Sequence, residues 1–168
     1  MTQKIIHNTV FNESHPAFDL VDTSIVELKS HAQTRFVSAH DLFDYTPHII
    51  WTKDSITTNA VGALLFHPMR RDYLRVLMAC VSPACRRQGI CSAMWAELKV
   101  IATRYETRGI FLCVNVGVPN EAMYGVLNSI GSVPRWLHIS HNSDNESVDV
   151  ILIPSERSAG SDKNNGSM

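Results

Sequence analysis

No run of apolar residues in this 168-residue chain approaches the ~20 that a membrane-spanning helix needs. A surplus of one charge is missing as well. With 15 basic and 16 acidic residues the net charge is −1, so the overall balance draws the protein toward neither nucleic acid nor an anionic membrane. The four cysteines, Cys80, Cys85, Cys91 and Cys113, form no Cys-x-x-Cys pair and lie in or beside apolar segments. That pattern reads as reduced thiols in a cytoplasmic protein, not as a disulfide frame. The eight histidines lack the i, i+4 or clustered spacing of a zinc site, so no metal is expected. The N-terminal MTQKIIHNTVFNESHP has one lysine and a two-residue apolar step, so no signal peptide is expected there. Internal repeats and blocks of like charge are absent.

What the chain does have is a hydrophobic content of 45%, enough for a true core. A domain of this size buries about 70% of its unfolded surface. One domain is expected over residues 1–154, followed by a disordered tail over 155–168, where SERSAGSDKNNGSM is small, polar and aperiodic. Phe18, Val21, Ile25 and Leu28 stand three and four apart, the stripe of an amphipathic helix. A short second helix is expected near 38–43. His48–Thr52, Ala60–His67 and Tyr73–Val81 read as strands, the last two joined by the charged turn Met69-Arg70-Arg71-Asp72. Ser82-Pro83 ends the third, because proline cannot donate to a ladder. Ser92 then reads as the start of a long helix with Met94, Leu98, Ile101 and Tyr105 on one face. Gly109 breaks it, Ile110–Val116 is a strand, Pro119-Asn120 opens another helix and Gly131 closes it. Trp136–Ser140 and Val148–Ile153 form a hairpin about Asn142–Asn145. The order gives an α/β fold with a mixed sheet flanked by helices.

The segment VSPACRRQGICSAM carries the chemistry. A strand that stops, a short loop with glycine and an immediate helix place unpartnered backbone N–H groups and the positive end of a helix dipole together. Arg86 and Arg87 stand beside that end, and Gly89 removes the Cβ where a phosphate must come close to the backbone. These features fit a pyrophosphate cradle, and they equally fit an ordinary turn between strand and helix whose glycine only satisfies φ.

Val81, Pro83, Arg86, Gly89 and Cys91 stand in the register of the strand, V-x-P, [RQ]-x-x-G-x-[GA], helix pattern of GNAT acetyltransferases. Asn120 and Gly131 keep the spacing of that family's second motif, N-x-x-A-x-x-x-Y-x-x-x-G-F. The chain thus resembles the GNAT family over roughly 73–137. The resemblance implies a GNAT-type acyl-CoA N-acyltransferase fold with a mixed, mostly antiparallel central sheet. It also implies acetyl-CoA as cosubstrate and transfer of its acetyl group to a primary amine, on a small molecule or a protein, by direct attack in a ternary complex. On that basis the main chain of Ala79, Cys80 and Val81 pairs with the pantetheine arm, and a main-chain N–H of that strand polarises the thioester carbonyl. The amides of Arg86, Arg87, Gln88, Gly89, Ile90, Cys91 and Ser92 hold the pyrophosphate, and Asn120 reaches the arm of the cofactor.

The departures from the family pattern fall on the catalytic positions. Leu127 occupies the slot of the usual acid, which leaves Tyr124, one helical turn earlier, as the candidate. The two slots that hold a basic Glu in some members are Arg75 and Asn115 here, and Ser132 replaces the Phe that follows the closing glycine. Histidines titrate near ~6.5 and can serve as base. His138 is the best placed of His67, His138 and His141, since the family's acceptor cleft is lined partly by the final hairpin. These substitutions keep open a catalytically degenerate GNAT domain used for binding or assembly, as in some bacteriophage proteins. A toxin acting on aminoacyl-tRNA is disfavoured by the near-neutral charge, although Arg70, Arg71, Arg75, Arg86 and Arg87 could form a local patch. Pairing of two copies through the terminal strands is open to such a domain.

Overall fold

A computed structural model describes residues 3–31, 34–69, 73–107, 109–115, 134–142 and 145–152. In chain order the elements are β1 (Gln3–Asn8), α1 (Phe18–Ser30), a 3-10 helix (Ala39–Tyr45), β2 (His48–Asp54), β3 (Ala60–Met69), β4 (Tyr73–Val81), α2 (Ile90–Arg104), β5 (Gly109–Asn115), β6 (Pro134–Asn142) and β7 (Asn145–Leu152). The strands form one sheet in the order β1-β2-β3-β4-β5-β7-β6. Neighbours run antiparallel except β4 and β5, whose parallel pairing spans the crossover through α2. This is the mixed, mostly antiparallel sheet expected.

The helices cover opposite faces, and each face has its own core. α2 packs Ile90, Met94, Trp95, Leu98 and Ile101 onto Ile50, Leu64, Phe66, Leu74 and Val76. On the other face Val21 and Ile25 of α1 lie with Ile49, Ala63, Leu65 and Met78, and the 3-10 helix adds Ala39 and Leu42. The expected stripe of α1 holds: Val21 and Ile25 are buried, while Phe18 and Leu28 pack at its margins.

Several expectations need correction. β1 was not legible, because KIIH lacks period-two alternation; its residues are half-buried at best, and pairing with β2 makes the strand. The 38–43 helix is 3-10 and runs to Tyr45, its start tied by the Asp41 carboxylate, which accepts from the amides of Val37 and Ser38 at 2.7 and 3.3 Å. α2 starts at Ile90, not Ser92, because Gly89 in the left-handed region (φ 77°) serves as its N-cap. Tyr105 stands just beyond α2 and is 51% exposed, so the buried residues of the helix end at Ile101 and Ala102. The final hairpin is present, with its first strand longer at both ends and its second beginning earlier and stopping one residue sooner than expected, Pro134–Asn142 against Asn145–Leu152. The turn at 70–72, the helix from Pro119-Asn120 to Gly131, Leu127, Ser132 and the 155–168 tail lie outside the described residues.

Candidate functional site

β4 and β5 begin side by side and then part. Their register holds for four pairs, from Tyr73↔Gly109 to Val76↔Leu112. Beyond Val76, β4 stays paired to β3 as far as Gly62↔Val81, while β5 continues only with β7. The physical cause is a β-bulge. Leu65 pairs with Met78 and Phe66 with Val76, so Leu77 is the extra residue on β4. A bulge bends its strand and increases the local twist. It also reverses the side-chain phase: Leu74 and Val76 face α2, whereas after the bulge Met78 and Cys80 face α1, and Ala79 and Val81 face α2. Among the described residues no strand pairs with the outer edge of Leu77–Val81. Alternate backbone N–H and C=O groups of Ala79, Cys80 and Val81 therefore point into the cleft.

That edge leads into the loop. Val81 is followed by a single 3-10 turn, Pro83–Cys85, and then by two left-handed residues, Arg87 (φ 62°) and Gly89 (φ 77°). Gly89 next to the right-handed Ile90 turns successive N–H groups the same way, the geometry of a backbone anion nest. The first intrahelical bond runs from the Ala93 amide to the Gly89 carbonyl at 3.0 Å. The amides of Ile90, Cys91 and Ser92 therefore have no partner within the helix. A Cβ built on Gly89 would meet nothing within 4 Å; it would project into open space above the nest, where a side chain would obstruct a phosphate. These residues fit the pyrophosphate of a coenzyme A group.

Two features that seat the loop were not foreseen. Gly62 lies beneath the start of α2, and a Cβ there would stand 2.7 Å from Ile90 Cγ2 and 3.1 Å from Met94 Cε. The bare backbone of β3 lets the N-terminus of α2 sit low on the sheet. A lone glycine inside AVGALL was the available signal for close approach. Arg86 is held by its neighbours: Nε donates to the Val81 carbonyl at 3.2 Å, and Nη2 pairs with both carboxylate oxygens of Glu27 on α1 at 2.9 and 3.0 Å. Its guanidinium thus ties α1 to the end of β4. Nothing in the sequence marked Glu27.

The cysteines here are free thiols: Cys80, Cys85 and Cys91 are each partly exposed. Desolvation pushes the Cys80 thiol up to about 11, offset in part by Ser24 and the Ala63 backbone. Burial also raises Cys91, with the nearby Trp95 indole acting in the opposite direction. Raised thiols are poor nucleophiles, so these side chains behave as small apolar groups, Cys80 against the α1-face core and Cys91 against the α2-face core. The side chain of Cys113 lies outside the described residues.

Of the other foreseen residues, Asn120 and Tyr124 lie outside the described residues. His138 is on β6, level with Asp149 of β7 and through it with Cys113 of β5. Two strand spacings, about 10 Å, separate its backbone from β5. The structure thus gathers Ala79–Val81 and Arg86–Ser92 into one continuous surface and leaves His138 on the edge strand. Arg75 faces α1 and the 3-10 helix, with its guanidinium 5.8 Å from the Tyr45 ring centroid. His67, opposite it in register, is partly buried, and its Nε2 has no hydrogen-bond partner among the described residues. Burial first and Arg75 second lower its pKa, so its ring is neutral at pH 7. Among the described residues no three His, Cys, Asp or Glu side chains group as a metal site.

The fold recurs in solved acetyltransferases. An IAA acetyltransferase from Bacillus cereus superposes with a TM-score of 0.64 at 9% identity, over 90% of this chain and 100% of that one. A GNAT family acetyltransferase from Elizabethkingia anophelis, with acetyl-CoA bound, gives 0.60 at 11% identity over 90% and 95%. The ribosomal-protein-S5-alanine acetyltransferase of Vibrio fischeri gives 0.54 at 13% identity over 80% and 69%. No curated protein matches the sequence. The family model for the acetyltransferase (GNAT) family matches residues 11–131, across both helices, the bulged strand and the glycine loop, and by that match the chain belongs to the GNAT acetyltransferases.

Proposed function

We propose that the protein is an N-acetyltransferase that binds acetyl-CoA in the β4–β5 cleft and transfers its acetyl group to a primary amine by direct attack in a ternary complex. The observation that carries this reading is the edge of β4 that no described strand pairs with, followed through a short loop by the N–H-lined start of α2. When bound, acetyl-CoA supplies the reactive thioester. The amides from Arg87 to Ser92 hold its pyrophosphate, the main chain of Ala79–Val81 aligns its arm, and an N–H of that edge polarises the thioester carbonyl. Asn120 is proposed to steady the same arm. The acceptor must lose a proton to attack, and a His or a water chain can take it. His138 is proposed as that base through water, and Tyr124 as the acid that returns a proton to the departing thiolate. No metal takes part in this scheme. Arg75 stands where some relatives hold a basic Glu and cannot act as base, because its guanidinium stays protonated.

The reading extends to a single domain over 1–154 acting in the cytoplasm, with pairing of two copies through the terminal strands. No described helix is long and apolar enough to cross a membrane. A second reading, a binding or assembly domain without catalysis, is favoured by Arg75 and Asn115 in the slots of the usual base. Isothermal titration with acetyl-CoA comes first. Micromolar binding followed by acetylation in an amine panel supports the enzyme, with Tyr124→Phe lowering kcat. Binding with no product across the panel favours the assembly domain, and no heat at millimolar acetyl-CoA overturns the cofactor site.

A further inference from the structure

On the α1 face of the sheet, one residue before β4 and β5 part, two guanidinium groups meet one aromatic ring. Arg75 lies 5.8 Å and Arg35 6.0 Å from the centroid of Tyr45, both at the reach of a cation–π contact. Arg35 Nη2 also donates to the Tyr45 hydroxyl at 2.6 Å. Tyr45 in turn lies 5.4 Å from the ring of His67, the residue opposite Arg75 in the β3–β4 register. Among the described residues no carboxylate pairs with either arginine.

Arg35 also lies 5.6 Å from the Phe36 ring centroid, but a ring face offers a guanidinium no oxygen to accept its N–H groups. Each guanidinium presents a planar fork of donors, and only one N–H of Arg35 is used on Tyr45. A tyrosine hydroxyl that accepts from arginine keeps its own proton to donate. Two like charges gathered beside one ring repel, and an anion placed between them removes that cost. The partly buried His67 contributes an unpartnered Nε2 and no opposing negative charge. Among the described residues the cluster therefore gathers two guanidinium groups with no carboxylate to oppose them. Four residues of strand, about 13 Å of chain, separate Arg75 from Ala79. A flexible arginine stem and an acceptor a few bonds long together span that distance.

We infer that Arg35, Tyr45 and Arg75 bind a carboxylate on the acetyl acceptor, so that the acceptor is a small amine of the amino-acid class. This rests on the acetyltransferase reading above and adds the substrate class to it. Planar, bidentate recognition of carboxylate is what arginine provides and lysine does not.

The test compares each common amino acid with its own C-terminal amide. The full chain and acetyl-CoA are used, with release of the CoA thiol followed over time. Thermal stabilisation of the CoA-saturated protein by the same pairs is read in parallel. The amide's amine is the less basic of the two, so a larger neutral fraction favours the amide and cannot produce a preference for the acid. At least one amino acid is expected to exceed its amide by about tenfold or more in kcat/KM, mainly through KM, and to stabilise the protein where the amide does not. Arg75→Gln, and separately the exposed Arg35→Gln, should raise KM for the acid by about tenfold, with Arg75→Lys restoring only part. Equal handling of acids and amides, or stabilisation by neither in a protein that binds acetyl-CoA, overturns the inference and leaves the acetyltransferase reading intact. Failure to bind acetyl-CoA overturns that reading and the inference with it.

Discussion

The two sides of the cleft are built from different materials. On the side proposed for the cofactor the groups are main-chain amides, set by Gly89, the left-handed Arg87 and the bare backbone of Gly62. On the side proposed for the acceptor they are side chains, Arg35, Tyr45, His67 and Arg75, brought together from the segment after α1, the 3-10 helix, β3 and β4. A backbone site depends on where the chain turns, and it tolerates much change in the side chains around it. A side-chain site depends on which residues face one another, and it can alter specificity while the fold stays the same.

The largest expected effect breaks the cofactor side alone. Gly89→Glu adds a strained left-handed residue and places a carboxylate where a pyrophosphate must lie, so acetyl-CoA affinity should fall by about a hundredfold or more in a calorimetric titration. Gly89→Ala separates the two causes. Its Cβ meets nothing, and only the backbone cost of about 1–2 kcal/mol is expected in urea unfolding. Next comes Gly62→Val, which overpacks the seat of α2 against Ile90 and Met94. It should cost about 1–3 kcal/mol of stability and weaken acetyl-CoA binding together, because the helix start and the nest are one object. If binding is unchanged while stability falls, the coupling between β3 and the nest is wrong.

A pH titration sharpens the comparison from the other side of the molecule. His7, His15, His48 and His67 all have folded pKa values below the ordinary 6.5, burial being the first cause for each. The unfolded chain therefore takes up protons first as pH falls. Stability is complete above about 6.5 and declines as pH drops through 6.5 toward the lower folded values. His7 Nε2 and His48 Nδ1 stand 3.3 Å apart, with Glu97 raising and Arg104 lowering the His7 pKa after burial. His48→Gln should flatten the decline between pH 7 and 5 in thermal unfolding. A separate loss belongs below about 3.8, where Asp41 and Asp54 give up the backbone hydrogen bonds that hold their carboxyls down. The smallest effect is expected from Glu27→Gln. Glu27 and Arg86 are both well exposed, so breaking the pair should cost under ~1 kcal/mol in urea unfolding and shift acetyl-CoA affinity only a few-fold.

Legibility in the sequence followed the same division. The stripe of α1, the start of β3 and both ends of β4 could be read because periodicity and proline act locally, whereas β3 runs past the expected His67 through Pro68 to Met69. The 81–92 loop was readable for a similar reason, since glycine and a strand-to-helix switch leave a mark at fixed spacing. β1 was missed because an edge strand with little burial has no pattern of its own, and pairing with β2 creates it. The start of α2 was placed two residues late because Ser92 is a good cap by type, while Gly89 is the cap by conformation. The bulge at Leu77 left no signal, since LRVLMAC reads as a uniform apolar strand.

By itself the sequence determined an α/β chain with a strand–loop–helix turn between Val81 and Ser92, because those properties reside in neighbouring residues and in which backbone angles they permit. Only the tertiary structure decided that β4 parts from β5 at Val76, that Arg86 is tethered to Glu27, and that Arg35 and Arg75 converge on Tyr45. Those facts depend on strand register and on contacts between residues up to 59 positions apart. Such contacts exist only once burial of the two cores has fixed which faces meet.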